Sequence, residues 1–540
     1  MHAIRGDKYD AIIIGAGMGG LSCGAWLAHK GMKVLVVEQN VQAGGFCSSY
    51  KRNGFNFTPA ASVLTGCTKK NSIFLRLTQQ LGIEKEIEFI PIEHCYHVHL
   101  PDFDYYIHSG GEEARQKFIE QIIKLFPHET KGINAFFDTL VKFYQQADYA
   151  TFLGTKPMDL ARILLKCPTL VKSMGKTIGP FVDDYVTDPK LKAVLTMNAT
   201  CAFLPPSRAS LMGIVMLLIE GLISNATVKG GSQVIAEAFV KSVKDNGGEV
   251  LLGSLVEKIL VKDGRAYGVR VVPSPLAVSE GKVSASEKGE EILGTHIVSN
   301  VAARQTFQKL IDADKVDRKF SAKLDRLEPT GPFCALFLGL DMDLKKMGFT
   351  PALHIHSSTY DLKEHFRGLA SKMVDEQGPD PCFRFHLAPL SDPTSAPEGK
   401  SAFMMHYIPA PSGGWNDPER QKKVVDLMIK RAEKVVPGLS KHIVYQEFWS
   451  PLTVDKYSLS GQDASMGWAI TPEQIGPKRL AQQTPIKNLL LSGHWTRPAL
   501  GVLSVVISGL QAARMILESE GIGEPLADLG IRKGLMVDNV

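Results

Sequence analysis

The sequence predicts an α/β fold built on a parallel sheet. Three observations predict it. A short apolar run near the N-terminus leads directly into a GxGxxG turn and a helical repeat. A second apolar run follows and ends in an acidic residue. A strand-then-glycine unit of the same kind comes back only near residue 490. Together they describe a Rossmann-like dinucleotide-binding domain whose pieces are separated by the segments of an interleaved α+β domain.

Residues 9–14 (YDAIII) are nearly continuously apolar, as a buried parallel strand requires. The GAGMGG that follows places Gly15, Gly17 and Gly20 on the fingerprint. Leu21, Ala25 and Ala28 recur at helical spacing, and Gly31 closes the helix. Residues 33–37 (KVLVV) form a second buried strand, and Glu38 stands at its end, 18 residues after Gly20. Each residue has a physical task. Gly15 permits the tight turn, Gly17 lets backbone approach a pyrophosphate, and Gly20 lets helix pack on strand. The helix N-terminus offers N–H groups to phosphate, and Glu38 can accept ribose hydroxyls. Gly44 and Gly45, just past the acid, suit a cofactor longer than ADP, such as FAD. With no second GxGxxG after a later strand, FAD alone is the expected cofactor.

The C-terminal return, residues 488–498 (NLLLSGHWTRP), reads as a strand ending at Gly493 and His494. Gly501 and Val502 then open a helix with Val505, Gly509, Ala512, Ala513 and Ile516 inside. Small residues at its start would let the helix N-terminus approach a flavin ring.

On these residues the chain resembles the phytoene desaturase, carotenoid isomerase and retinol saturase group within the amine-oxidase-like FAD superfamily. Residues 11–66, 228–272 and 467–516 carry the resemblance. In the middle stretch Lys229-Gly230-Gly231 leads a helix, and Val256 and Ile259 match a strand whose valine lies against adenine in the family. In the last, Gln474, Arg479 and Thr484-Pro485-Ile486 match the approach to the flavin. Three departures surround the ring. Phe46 and Cys47-Ser48-Ser49 follow the glycine pair where the family often has Arg, Thr58-Pro59-Ala60 replaces Asp-x-Gly, and His494 replaces a common Asp. The resemblance implies a glutathione-reductase-like FAD domain from residues 1–92, 225–310 and 465–540, and a substrate-binding domain from 93–224 and 311–464. It implies an FAD-dependent oxidoreductase acting on C–C bonds of an apolar polyene, isoprenoid or lipid, by desaturation, saturation or cis–trans isomerisation. The electron partner stays open among a quinone, a redox protein and NAD(P)H. His494 is the candidate catalytic residue, because an imidazole can donate where Asp accepts and can change charge near neutral pH. Two alternatives remain: a non-catalytic prenyl carrier of the Rab escort and GDI type, and an amine oxidase with Trp495 and Trp468 as cage walls.

On the substrate side, residues 93–109 alternate like a strand, 112–224 look mainly helical, and 333–340 read as a strand. Residues 273–291 are polar and read as an exposed hairpin extension. Residues 151–180 set Lys156, Arg162, Lys166, Lys172 and Lys176 against Asp159, interleaved with Leu, Ile and Met and broken at Pro168. Such a basic amphipathic block predicts contact with a membrane surface. His94, His97 and His99, and His354 and His356, are spaced to share strand faces, but no third ligand accompanies either set, so no metal is expected.

Composition excludes other classes. With 540 residues, 44% hydrophobic and 22% charged, the chain is neither disordered, collagenous nor a small disulfide scaffold. A net charge of +5 gives no nucleic-acid signature. No uninterrupted apolar run reaches the roughly 18–20 residues of a membrane span; the best, 211–219, is closed by Glu220. Residues 1–10 carry no apolar core of a secretory signal. Eight cysteines without a CxxC pair read as buried thiols in a reducing compartment. The expected location is cytoplasmic, peripheral on the inner face of a membrane. No HExxH, Walker loop or Ser/His/Asp set points to hydrolysis or phosphoryl transfer.

Overall fold

Tyr9–Ile14 is buried at every position but one because both faces of its sheet are covered. The structure, a computed structural model, describes residues 8–151, 153, 157–284, 289–362, 366, 383–407, 414–461, 464, 466–532 and 535–536. Glu249–Leu251, Val34–Val37, Tyr9–Ile14 and Glu290–Ser299 run parallel in that order, and Leu489–Leu491 pairs parallel with the end of Glu290–Ser299. Alternation sorts the side chains. Ile13, Val34, Val36 and Val298 pack under helices Met18–His29, Gln233–Asp245 and Val502–Ser519. Ile12, Ile14, Leu35 and Ile297 face the opposite core with Phe307, Trp468 and Trp495. Glu290–Ser299 is long enough to serve two partners. Its first residues pair antiparallel with Arg265–Pro273, which pairs with Ser254–Lys262. The turn segment between Arg265–Pro273 and Glu290–Ser299 holds a short helix, Pro275–Ser279; residues 285–288 lie outside the described residues.

A second seven-stranded sheet runs Ile443–Trp449, Cys334–Leu340, Ser401–Tyr407, Phe383–His386, Leu353–His356, His94–His99, Asp104–His108. All neighbours are antiparallel except Leu353–His356 with His94–His99. The alternation expected over 93–109 and the strand expected at 333–340 are both present. Glu112–Leu125, Thr130–Ala150 and Leu211–Ile223 pack in one core with Tyr96, Val98, Tyr105 and Ile107 of this sheet. Pro418–Val435 covers Leu336, Leu338, Phe385 and Met405.

Two expectations change or fall partly out of view. Val502–Ser519 is long and apolar enough to cross a membrane, at 18 residues and mean hydropathy 1.3, although Gln511, Arg514 and Glu518 interrupt its apolar run. Half of it is buried, and it packs on Met18–His29 as a core helix. Among the described cysteines, six are buried, Cys201 is half-buried, and all are free thiols; Cys382 lies outside the described residues.

Candidate functional site

The first strand ends in a turn that only glycine adopts comfortably, with Gly15 at φ +92°. Gly17 is the N-cap of Met18–His29; no side chain caps it, and the first turn carries no acid. The leading N–H groups of this helix are therefore available to an anion. A Cβ on Gly20 would sit 2.2 Å from the Gly15 carbonyl oxygen, and one on Gly17 would sit 2.8 Å from Asn300 Nδ2. Gly20 thus holds strand and helix together, and Gly17 keeps the surface of the turn flat. Gly44 pairs with Gly17 in an isolated parallel bridge and donates its N–H to the Ala16 carbonyl at 2.8 Å. Gly45 stands beside it, its Cβ position 3.4 Å from Gly17 Cα.

Glu38 is buried at the tip of the second strand. Its Oε2 accepts from Ala16 N at 2.7 Å, and its Oε1 accepts from Asn40 N at 2.9 Å and Asn40 Nδ2 at 2.7 Å. Burial pushes its pKa up, partly offset by these hydrogen bonds. A carboxylate has about four acceptor positions, so one stays free for a hydroxyl.

Gly15, Gly17, Glu38, Gly44 and Gly45 line one cavity of about 340 Å³, and Val256, Gly493, His494, Gly501 and Val502 line it with them. Of the cofactor-contact candidates, only Gly20 is missing, and it lies beneath the turn; Ile259, Gln474, Arg479 and Thr484-Pro485-Ile486 do not line the cavity. Asn40 Oδ1, Arg384 Nη2, His386 Nε2 and His494 Nε2, all on residues of this cavity, are buried without a hydrogen-bond partner. Buried orphans are costly, and a dinucleotide rich in donors and acceptors would pair them. The residues present fit FAD.

The structure corrects the electrostatics expected of His494. It is half-buried on the cavity wall, and desolvation there, followed by the nearby Arg479 cation, lowers its pKa to about 4. The ring is neutral near pH 7, so it supplies no switchable charge there. Its edge meets Phe46 at 6.1 Å between centroids. Arg479 is itself buried, with four carbonyl partners, those of Trp468, Gln474, His494 and Thr496. It is a clamp on the 494–496 turn. Trp468 and Trp495 meet edge-on at 4.8 Å inside the core, so they do not face each other across an open cage.

Four residues of the site have no local signature. Asn300 follows the strand Glu290–Ser299, and its side chain bonds the Gly15 carbonyl at 3.3 Å. Its place at the carboxyl end of a parallel strand, where such sheets bind ligands, is the signal that could have found it. Arg384, His386 and His406 come from the second sheet. His386 Nδ1 pairs with Ser62 Oγ at 2.7 Å, and His406 Nε2 donates to the Pro59 carbonyl at 2.7 Å.

A second cavity, about 890 Å³, shares Val63, Leu500, Gly501 and Val502 with the first. Met212, Met216, Leu217, Leu170 and Ile163 line it. One charged spot on it is Lys69 between Asp148 at 3.6 Å and Glu220 at 3.5 Å, with Tyr144 donating to Glu220 at 2.6 Å; Arg497, Arg514 and Glu518 also line it.

Fold and site define a dinucleotide-dependent oxidoreductase with a Rossmann-like core. Residues 18–517 match the family described as flavin containing amine oxidoreductase, and the chain belongs to it. Prolycopene isomerase 1, chloroplastic, of an Oncidium hybrid cultivar is 27% identical over 98% of this chain and 85% of its own length. The neurosporene-forming phytoene desaturase of Rhodobacter capsulatus is 26% identical, over 96% and 95%. Among solved structures, an oxidoreductase from Methanosarcina mazei shares the fold at TM-score 0.58 and 15% identity, covering 93% of this chain and 99% of that one. Putrescine oxidase does so at 0.57 and 12%, covering 96% and 100%. The protein is an FAD-dependent oxidoreductase.

Proposed function

We propose that this enzyme acts on C–C bonds of an apolar polyene, isoprenoid or lipid, by desaturation, saturation or cis–trans isomerisation. One observation carries the reading: a large, mainly apolar cavity shares a wall with the cofactor cavity at Val63, Leu500, Gly501 and Val502. The names of the curated relatives, carotenoid isomerases and desaturases among them, support it. FAD when bound supplies a two-electron, hydride-level acceptor and donor. The chain's residues do the rest. Gly15, Gly17 and the helix N-terminus hold the pyrophosphate, with Gly44 and Gly45 beside them. Glu38 offers its free acceptor position to ribose, and Val256 packs on adenine. Gly493 lines the cofactor cavity, and Gly501 and Val502 shape the wall shared with substrate. His494, neutral, offers one hydrogen bond through Nε2. In this reading residues 1–92, 225–310 and 465–540 carry the cofactor, and 93–224 and 311–464 carry the substrate. The test is anaerobic photoreduction of the purified flavoprotein, followed by mixing with polyenes and quinones. Reoxidation by a polyene or a change in its isomer composition supports the reading; inertness to every polyene alongside turnover of a primary amine refutes it.

The second part of the proposal is peripheral attachment to a membrane. Helix Pro157–Lys166 has no buried residue, and its Met158, Leu164 and Leu165 are 66%, 65% and 82% exposed. Leu160 and Ile163 of the same helix, with Leu170 and Met174 just beyond it, line the large cavity. Arg162, Lys166, Lys172 and Lys176 surround this apolar face; Lys156 lies outside the described residues. A helix pair that is apolar outward and opens inward gives a lipophilic substrate a dry entrance from a bilayer.

A further inference from the structure

Two strands far apart in the chain put three imidazoles on one face. His97 and His99 are two apart on His94–His99, and His354 lies beside His97 on the parallel strand Leu353–His356. Their strand neighbours Tyr96 and Leu353 line the cofactor cavity, so alternation sends the imidazoles to the other face of the sheet. Ligand nitrogens of all three lie within 4.8 Å of one another.

The hydrogen bonds around the rings fix two tautomers. His354 Nε2 is 2.9 Å from the Thr350 carbonyl oxygen, which only accepts, so Nε2 carries the proton and Nδ1 presents a lone pair. His99 Nδ1 is 2.9 Å from Asp104 Oδ2, so Nδ1 carries the proton and Nε2 presents a lone pair. These two nitrogens face each other at 3.0 Å. Two acceptors do not bond, so a positive species must lie between them, either a second proton on His99 or a metal ion. His97 separates the two cases. It adds a third, half-buried ring, 4.0 Å from His99 and 4.9 Å from His354 between centroids; its Nε2 lies 3.3 Å from Asp104 Oδ2, without an aligned hydrogen bond, and its Nδ1 is buried without a partner. A proton shared by His99 and His354 does not involve that ring, whereas a three-imidazole metal site does.

We propose that His97, His99 and His354 bind a divalent transition-metal ion of the zinc class, with Asp104 and Thr350 as the outer partners that fix the ring tautomers. Zn–N bonds of about 2.0–2.1 Å in a tetrahedral site put ligand nitrogens about 3.3–3.4 Å apart; the His99–His354 pair at 3.0 Å is a few tenths inside that, and all three nitrogens lie within 4.8 Å. Three imidazoles leave a fourth position for water, and half-exposed Asp104 marks the way in. Carboxylate and carbonyl partners of this kind orient ligand histidines in zinc sites. The ion ties His94–His99 to Leu353–His356 from the face opposite the cofactor cavity. The fold thus supplies the third ligand that sequence spacing lacked.

The test uses untagged flavoprotein, stripped with EDTA, dialysed and titrated with Zn²⁺, with bound zinc read by elemental analysis. The expected result is one tight Zn²⁺ per chain, lost in His354→Gln and weakened roughly 10–100-fold in Asp104→Asn. Zn²⁺ should also raise the Tm of the wild type and leave that of His354→Gln unmoved. The flavin spectrum reports folding. If His354→Gln loses its flavin, Asp104→Asn carries the test alone, and unchanged affinity there overturns the site. Absence of stoichiometric zinc overturns it in favour of the shared proton. Zinc that survives His354→Gln and disappears in His108→Gln overturns it in favour of the Glu93, His94 and His108 group.

Discussion

Glu38 holds three backbone and side-chain donors on a carboxylate that is 6% exposed, so its role depends on geometry that no solvent relaxes. Glu38→Ala should weaken FAD by about 1.5–3 kcal/mol, the worth of a charge-assisted hydrogen bond, read as a roughly tenfold to hundredfold rise in Kd by flavin fluorescence. Gly17→Val should abolish the yellow colour of the purified protein. Its Cβ would meet Asn300 and its branches would fill the space of the pyrophosphate; a fully yellow variant would remove the nucleotide assignment. For His494, a ring held near pKa 4 cannot titrate between pH 6 and 8. The midpoint potential of wild type and His494→Asn should therefore show the same slope with pH across that range, differing by a constant offset if Nε2 bonds the cofactor. The glycines and Glu38 were legible because the fingerprint is local: one turn, one helix and one strand end. Asn300, Arg384, His386 and His406 were not, because only the tertiary fold brings them to the cavity that the glycine turn lines. The identity of His494 was legible and its charge was not, since that depends on the desolvation and the Arg479 cation that only the fold brings to it.

At the scale of elements, the C-terminal helix shows what its small residues are for. A Cβ on Gly509 would lie 2.2 Å from both the Gly19 carbonyl oxygen and Ser22 Oγ. Ala is favoured over Gly within a helix by about 1 kcal/mol, but overpacking at a backbone contact costs about 1–3 kcal/mol. Gly509→Ala should therefore lower the Tm, and because it pushes on the first turn of Met18–His29 it should loosen FAD as well. A stabilised variant with unchanged affinity would show that the two helices can part freely. The basic amphipathic block was equally readable in pattern. Pro168 does break it, opening the second helix at Pro168–Ser173 after Pro157–Lys166. What periodicity could not show is that the first of these helices is docked on so little. With Leu164 and Leu165 exposed, the double variant Leu164→Glu and Leu165→Glu should lose roughly a hundredfold in partition to anionic liposomes, at about 1.5–3 kcal/mol per buried leucine. Replacing Lys166, Lys172 and Lys176 by Glu should remove the salt-sensitive part of that binding. Unchanged sedimentation in both would leave an ordinary surface helix.

The whole molecule is two sheets meeting at a cavity: the first contributes glycine turns and Glu38, the second Arg384, His386 and His406. The meeting of the sheets was not visible in the sequence, because pairings such as His406 with Pro59 join residues hundreds apart. That meeting has a consequence for stability. Burial, then Arg384, holds His406 down to about 3; burial, then Arg479, holds His494 down to about 4; burial, then His406 and Arg384, holds His386 well below its ordinary value. Unfolded, each titrates near 6.5. As pH falls through 6.5 the unfolded chain therefore binds protons that the folded chain refuses, and stability declines until the folded values are reached near 3–4. One pKa unit is about 1.4 kcal/mol, so His406 and His494 should each cost on the order of 2 kcal/mol between pH 6.5 and 5. Glu38, whose pKa burial raises, acts in the opposite direction, so a total change alone does not identify the cause. The comparison that does is the urea midpoint at pH 7 and pH 5 in wild type, His406→Gln and His494→Asn, each keeping Glu38. Wild type should lose stability on acidification, and each variant should lose less of it, because a neutral amide has no proton to refuse. Equal losses in all three would mean that these imidazoles are protonated in the folded cavity, and the neutral, hydrogen-bonding role given to His494 would fall with them.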